Sequence, residues 1–121
     1  MTVPPALHVH RHDTRNRALI VLAGEIDLHS APLIRQSLAQ CLRDGIRTID
    51  VDLRSVAFCD CSGLNAFLTA ALRTGTAGGS LRLRCPNPAV ARLFALTGSD
   101  FLFLARPDIP DGLLDRIPSA V

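Results

Sequence analysis

Apolar residues in this chain recur with two different periods, and segments of the two kinds alternate along its length. Residues 18–23 (Ala-Leu-Ile-Val-Leu-Ala) form a short, wholly apolar run ending at Gly24, the pattern of a strand buried on both faces. Residues 48–53 alternate instead, with Ile49, Val51 and Leu53 inward and Thr48, Asp50 and Asp52 between them. Between these runs, residues 28–44 place Ile34, Leu38, Cys41 and Leu42 at helical spacing. Ser30 can cap that helix, Pro32 suits its first turn and Gly45 its C-terminal stop. Leu64, Phe67, Leu68, Ala71 and Leu72 mark one face of a second helix, which starts near Ser62 and is broken by the glycines of residues 75–80. Leu81, Leu83 and Cys85 alternate as a further strand, and Asn87 caps a short helix carrying Val90, Leu93 and Phe94. The ends are weaker: residues 7–12 read as an edge strand, 101–104 as a brief strand and 111–117 as a last helical segment.

The order β-β-α-β-α-β-α-β-α predicts an α/β fold with a mainly parallel sheet of four to five strands, right-handed crossovers and about four helices. At 121 residues the chain has the size of one domain, expected over residues 8–117 with flexible ends at 1–7 and 118–121. No apolar run approaches the ~18 residues of a membrane span. Residues 1–7 carry neither a basic residue nor the sustained apolar core of a secretory signal. A cytoplasmic protein without membrane association is therefore expected.

Charge and cysteine usage narrow the chemistry. All 13 basic residues are Arg, scattered from Arg11 to Arg116 with no polybasic stripe, and Trp and Tyr are absent. That disfavours nucleic acid as a partner. The four cysteines lie at 41, 59, 61 and 85 without a CxxC pair, and the Cys59-Asp60-Cys61 spacing is too tight for a zinc knuckle. Cys41 and Cys85 read as small core hydrophobes. Cys59 or Cys61, near a helix start, has the position of a thiol nucleophile but needs a base. Only His8, His10, His12 and His29 are available, and the first three share one face of the edge strand, the pattern of a solvated strand face. No metal, cofactor or catalytic residue is expected, and the chain reads as a non-enzyme.

In α/β sheets function gathers at the carboxyl ends of strands, which singles out residues 24–27 (Gly-Glu-Ile-Asp) and 58–64 (Phe-Cys-Asp-Cys-Ser-Gly-Leu). The second loop sets the hydroxyl of Ser62 beside Gly63 at a helix start, where unpaired N–H groups and the helix dipole can accommodate a phosphate. Ser62 or Asp60 can equally serve there as a plain cap. Asp27 has the pattern of a capping or turn residue. Asp52, alternating out of the core, suits a structural hydrogen bond, and Arg54 and Ser55 read as loop residues.

Together Gly24-Glu25-Ile26-Asp27, Val51-Asp52-Leu53-Arg54-Ser55-Val56 and Phe58-x-Asp60-x-Ser62-Gly63-Leu64 resemble the STAS domain, and within it the free-standing anti-sigma factor antagonists of bacteria. Leu81-Arg82-Leu83, Pro88-x-Val90, Arg92-Leu93-Phe94 and Leu96-Thr97-Gly98 fit the second half, so the resemblance spans about residues 8–104. It implies a single STAS-like domain acting as a non-enzymatic switch. Such an antagonist binds an anti-sigma factor, a protein kinase of the GHKL ATPase type, and so frees a sigma factor. The kinase inactivates it by phosphorylating the serine before the glycine, here Ser62, and a phosphatase reverses this. The resemblance also implies a partner surface around Ser62 made by Glu25, Asp27, Asp60, Cys61, Gly63 and Asn65, with the protein a monomer. The family commonly has Asp-Ser-Ser-Gly, and here Cys61 takes the first Ser position while the acceptor keeps its hydroxyl. Other free-standing STAS proteins serve lipid-transport ATPases and stress-signalling assemblies, the alternative that the resemblance leaves open.

Overall fold

Backbone pairing joins β1 (Leu7–Thr14), β2 (Arg17–Ile26), β3 (Thr48–Cys59) and β4 (Ser80–Arg84) into one sheet in that spatial order. This is a computed structural model, and it describes residues 7–103. β1 runs antiparallel to β2 through a two-residue turn at Arg15 and Asn16, while β2, β3 and β4 are mutually parallel. Parallel neighbours need crossovers, and these are the helices α1 (Ala31–Arg43) and α2 (Cys61–Thr76). Because the strands advance in one direction across the sheet, right-handed crossovers place both helices on the same face, where they touch each other. A third helix, α3 (Pro88–Leu96), and a 3-10 turn (Asp100–Phe103) follow β4.

Alternate residues of the strands make the core. Ala18, Ile20 and Leu22, then Ile49, Val51 and Leu53, then Leu81 and Leu83 are all buried with Ile34, Leu38 and Cys41 of α1 and Leu64 and Phe67 of α2. Aromatic rings continue this layer outward: Phe67 lies 6.2 Å from Phe94, and Phe103 packs edge-on against Phe94 at 5.1 Å. No helix of the described residues is long and apolar enough to cross a membrane.

Several details differ from the expectations above. Residues 18–23 are not buried on both faces, since Leu19, Val21 and Ala23 are only half-buried. By register they share their face with His12, His10 and His8 on one side and Asp50 and Asp52 on the other, groups that need water or ion pairs. Asp50 takes Arg82 at 3.1 Å and Arg17 at 3.7 Å. β3 continues to Cys59, so Arg54 and Ser55 belong to a strand rather than a loop. Register shifts against β2 interrupt the alternation there, and both side chains are exposed. Asp52 accepts the N–H of Arg54 at 2.8 Å, the structural role expected of it.

α1 starts at Ala31, not near residue 28, and α2 runs through Gly75 to Thr76. α2 buries Ala66, Ala70 and Thr74 beside Leu64 and Phe67, whereas Leu72 is 72% exposed. Small residues let the helix settle closely, and they turn its inner face by about one position. Cys85 lies beyond β4 as an exposed residue at φ 58°, where the chain turns toward α3, so it is no core hydrophobe. Residues 100–103 form a 3-10 turn rather than a strand: a short apolar run carries no period that separates the two, and here only Leu102 is buried. Leu104 and the helical segment expected at 111–117 lie outside the described residues, as do most of the expected flexible ends.

Asn87 performs its expected cap and more. Its carboxamide oxygen accepts the N–H of Val90 at 2.8 Å, and its amide donates to the carbonyl of Val56 at 3.0 Å, tying α3 to β3. Asn87→Ala should therefore cost about 2 kcal/mol, the sum of a lost cap and an orphaned carbonyl. Asn87→Asp should recover only the cap. Denaturant titration of the three proteins checks this, and wild-type stability of Asn87→Asp would remove the link to Val56.

Candidate functional site

Parallel pairing brings the carboxyl ends of β2 and β3 together, with Ile26 opposite Cys59. The next residue, Asp60, closes the junction by donating its backbone N–H to the carbonyl of Ile26 at 3.1 Å. Its extended backbone turns the carboxylate back over the start of α2, where Oδ1 accepts the N–H groups of Ser62 at 2.8 Å and Gly63 at 3.3 Å. Asp60 is thus the cap, and Ser62 is not. The hydroxyl of Ser62 makes no hydrogen bond among the described residues and stands partly exposed on the first turn.

Gly63 is required by closeness. A methyl group there would overlap Cγ2 of Ile26 and come within 2.8 Å of the Cys59 sulfur, and both neighbours are buried. Burial also pushes the Cys59 thiol up to about 12, with the Asp60 charge adding to it, so Cys59 stays a neutral packing residue near pH 7. Cys61 is exposed beside Ser62, and Asn65 is exposed one turn further along α2.

The first loop organises itself around Asp27. Its Oδ1 accepts the N–H groups of His29 and Ser30, both at 3.0 Å. Those bonds, led by that of Ser30, hold the Asp27 carboxyl below the usual carboxylate range. Ser30 occupies the cap position of α1 without capping it. Its hydroxyl instead donates to the carbonyl of Glu25 at 2.9 Å and accepts from the N–H of Asp27 at 2.9 Å. Asp27 therefore builds the turn, with Oδ2 left without a partner among the described residues. Glu25 is exposed, and its register partner on β3 is Phe58.

Two residues missed by sequence reasoning stand at this end of the sheet. Leu28 is 70% exposed and Phe58 is 49% exposed. Leu28 lies in the turn after β2 and Phe58 near the end of β3, and an apolar residue that belongs to no periodic face is the available signal. Away from this end, His8, His10 and His12 are exposed along β1. Among the described residues no group of three His, Cys, Asp or Glu is placed to hold a metal ion.

The family model of the STAS domain matches residues 8–112 of this sequence. The chain belongs to the STAS domain family. This STAS domain is 32% identical over 92 residues to the anti-sigma-B factor antagonist of Bacillus subtilis (strain 168), covering 76% of this chain and 84% of that protein. Its fold matches the anti-sigma factor antagonist SpoIIAA in its unphosphorylated form with a TM-score of 0.72 at 24% identity, over 94% of this chain and 99% of that one. Against the phosphorylated form of the Bacillus SpoIIAA the TM-score is 0.66 at 24% identity, over 91% and 99% of the two chains.

Gly63→Ala in this STAS domain should cost about 1–3 kcal/mol through overpacking against Ile26 and Cys59. Gly75→Ala, with nothing within 4 Å of the added methyl, should be neutral or stabilising in the same helix. Thermal melts compare the two, and equal effects would refute the close contact. For Asp27 the sign follows from its depressed pKa. The carboxylate contributes fully above its ordinary value of 3.8 and loses that contribution as pH falls through the lowered value. The melting difference between wild type and Asp27→Asn should be present at neutral pH and close in acid, and a constant difference would contradict it.

Proposed function

We propose that this STAS domain is an anti-sigma factor antagonist, binding an anti-sigma factor of the serine-kinase type and released from it by phosphorylation of Ser62. The observation that carries the reading is the division of labour at the start of α2. Asp60 takes the capping duty, which leaves the Ser62 hydroxyl unengaged, partly exposed and followed by a residue without a side chain. Such a hydroxyl is open to a kinase, and its modification need not disturb the helix. SpoIIAA, whose fold this domain shares, has been solved in an unphosphorylated and a phosphorylated form, which supports a phosphorylation switch on this fold.

The partner would rest on Glu25, Asp27, Asp60, Cys61 and Asn65, with Leu28 and Phe58 supplying apolar contact, whereas Gly63, expected there too, is buried against Ile26 and Cys59 and serves the helix start instead. A surface of exposed apolar residues among polar side chains suits a protein interface. Phosphorylation adds about −1.5 to −2 charges and takes the formal net charge from +2 to near zero. The dianion would stand beside the Asp60 carboxylate, which already holds the N–H groups that a phosphate would seek. Repulsion and the cost of desolvating the phosphate would weaken binding by a few kcal/mol, a hundredfold or more. A phosphatase would restore the hydroxyl. The domain itself performs no chemistry in this scheme and works as a cytoplasmic monomer.

Ser62→Ala should leave stability within about 0.5 kcal/mol, because the cap is not touched. It should keep binding to the anti-sigma factor and lose phosphate acceptance. Ser62→Asp should weaken binding only in part, with one charge and two oxygens in place of a phosphate. Incubation with a kinase-type anti-sigma factor of the same cell and ATP, followed by intact mass and fragment mapping, is the measurement. Phosphate on Ser55 or Thr69, or undiminished labelling of Ser62→Ala, would overturn the assignment.

A further inference from the structure

α1 and α2 leave a groove of about 290 Å³ between them on the outer side of the helical layer. Leu38, Leu42 and Ala70 form its apolar floor, and the exposed Arg35, Arg43 and Arg73 stand along it. No Asp or Glu lines this groove. Three arginines elsewhere meet carboxylates: Arg11 pairs with Asp13 and Asp44, and Arg17 and Arg82 pair with Asp50. Arg35, Arg43 and Arg73 form no ion pair among the described residues, although Arg43 donates to the Gln40 side chain. Three guanidinium groups without a carboxylate partner, clustered beside an apolar floor, complement a surface that is acidic along its flanks and apolar between them. A cleft between two helices accepts a third helix, whose side-chain ridge fills it.

We propose that this groove is a second docking surface, taking an acidic amphipathic helix of a protein partner. Guanidinium forks match carboxylates in a bidentate fashion, and the apolar ridge of the incoming helix would pack on Leu42 and Ala39, the partly exposed apolar residues above the buried Leu38 and Ala70. The surface is separate from Ser62: at the helical rise, Ala70 lies about 12 Å further along α2. It stands whether or not Ser62 is phosphorylated.

The probe is a synthetic helical peptide of about 15 residues with one Leu stripe flanked by Glu, titrated into the isotopically labelled full-length chain. A matched peptide with Lys in place of Glu serves as the control. The Glu peptide should shift amides of α1 and α2 around the groove, leave the Ser62 loop unmoved, and bind more weakly as salt rises. Arg35→Glu with Arg73→Glu should weaken it about tenfold or more, Arg73→Gln less, whereas Ser62→Ala should bind it unchanged. These arginines are exposed, so the variants should keep the wild-type spectrum elsewhere. Absent binding, equal binding of the Lys peptide, shifts away from the groove, or indifference to the Arg variants would overturn the proposal. So would two results without peptide: groove shifts that grow with protein concentration would assign the surface to a second copy, and groove shifts on changing Asp108, Asp111 and Asp115 to Asn would assign it to the chain's own residues 104–121.

Discussion

Asp60 holds the site together through two different groups. Its backbone N–H reaches across to Ile26 at the end of β2, and its carboxylate reaches forward to the first N–H groups of α2. The first bond draws the loops after β2 and β3 side by side. The second fixes the pitch of the helix start and relieves Ser62 of a capping role. Gly63 depends on the same closure, since only a residue without a side chain lets α2 begin against Ile26 and Cys59. Loss of the Asp60 side chain would thus uncap a helix, at ~1 kcal/mol, and also loosen the register between helix and sheet.

Electrostatics at this end follow from topology. Both parallel crossovers start here, so α1 and α2 direct their positive dipole ends toward the same loops. Each end already has its carboxylate. Asp27 serves the N–H groups ahead of α1, and Asp60 serves those of α2. A further anion on the first turn would therefore find the helix dipole largely answered and two negative groups nearby. The positive end that binds phosphate readily in an uncapped helix would offer less here, and the added charge would express itself outward, against whatever touches the loops.

Most of the fold was legible because it rests on periodicity. The edge strand, the two crossovers and the short α3 with its Asn87 cap all lie where spacing and capping residues put them. What escaped has physical causes. By its alternation β3 is six residues shorter than in the structure, because register shifts against β2 let Arg54 and Ser55 both face water and erase the pattern. The large residues of α2 suggest an inner face about one position away from the true one, because Ala66, Ala70 and Thr74 pack more closely. At the site, the loops and the choice between Ser62 and Asp60 as cap could be named, but the choice depends on backbone angles that composition does not carry. Ser30 has the sequence pattern of a helix cap, yet the turn made by Asp27 captures its hydroxyl.

The hairpin of β1 and β2 closes through only two residues, so its pairing is local and its formation fast. The site has no such shortcut. Ile26 and Cys59, which meet at its centre, are separated in sequence by the whole of α1 and β3, and parallel pairing must wait for that long loop to close. On a growing or partly folded chain, the Asp27 loop and Ser62 are strangers. Recognition that requires both is thereby restricted to finished molecules: a partner reading this end of the sheet also reads whether folding is complete.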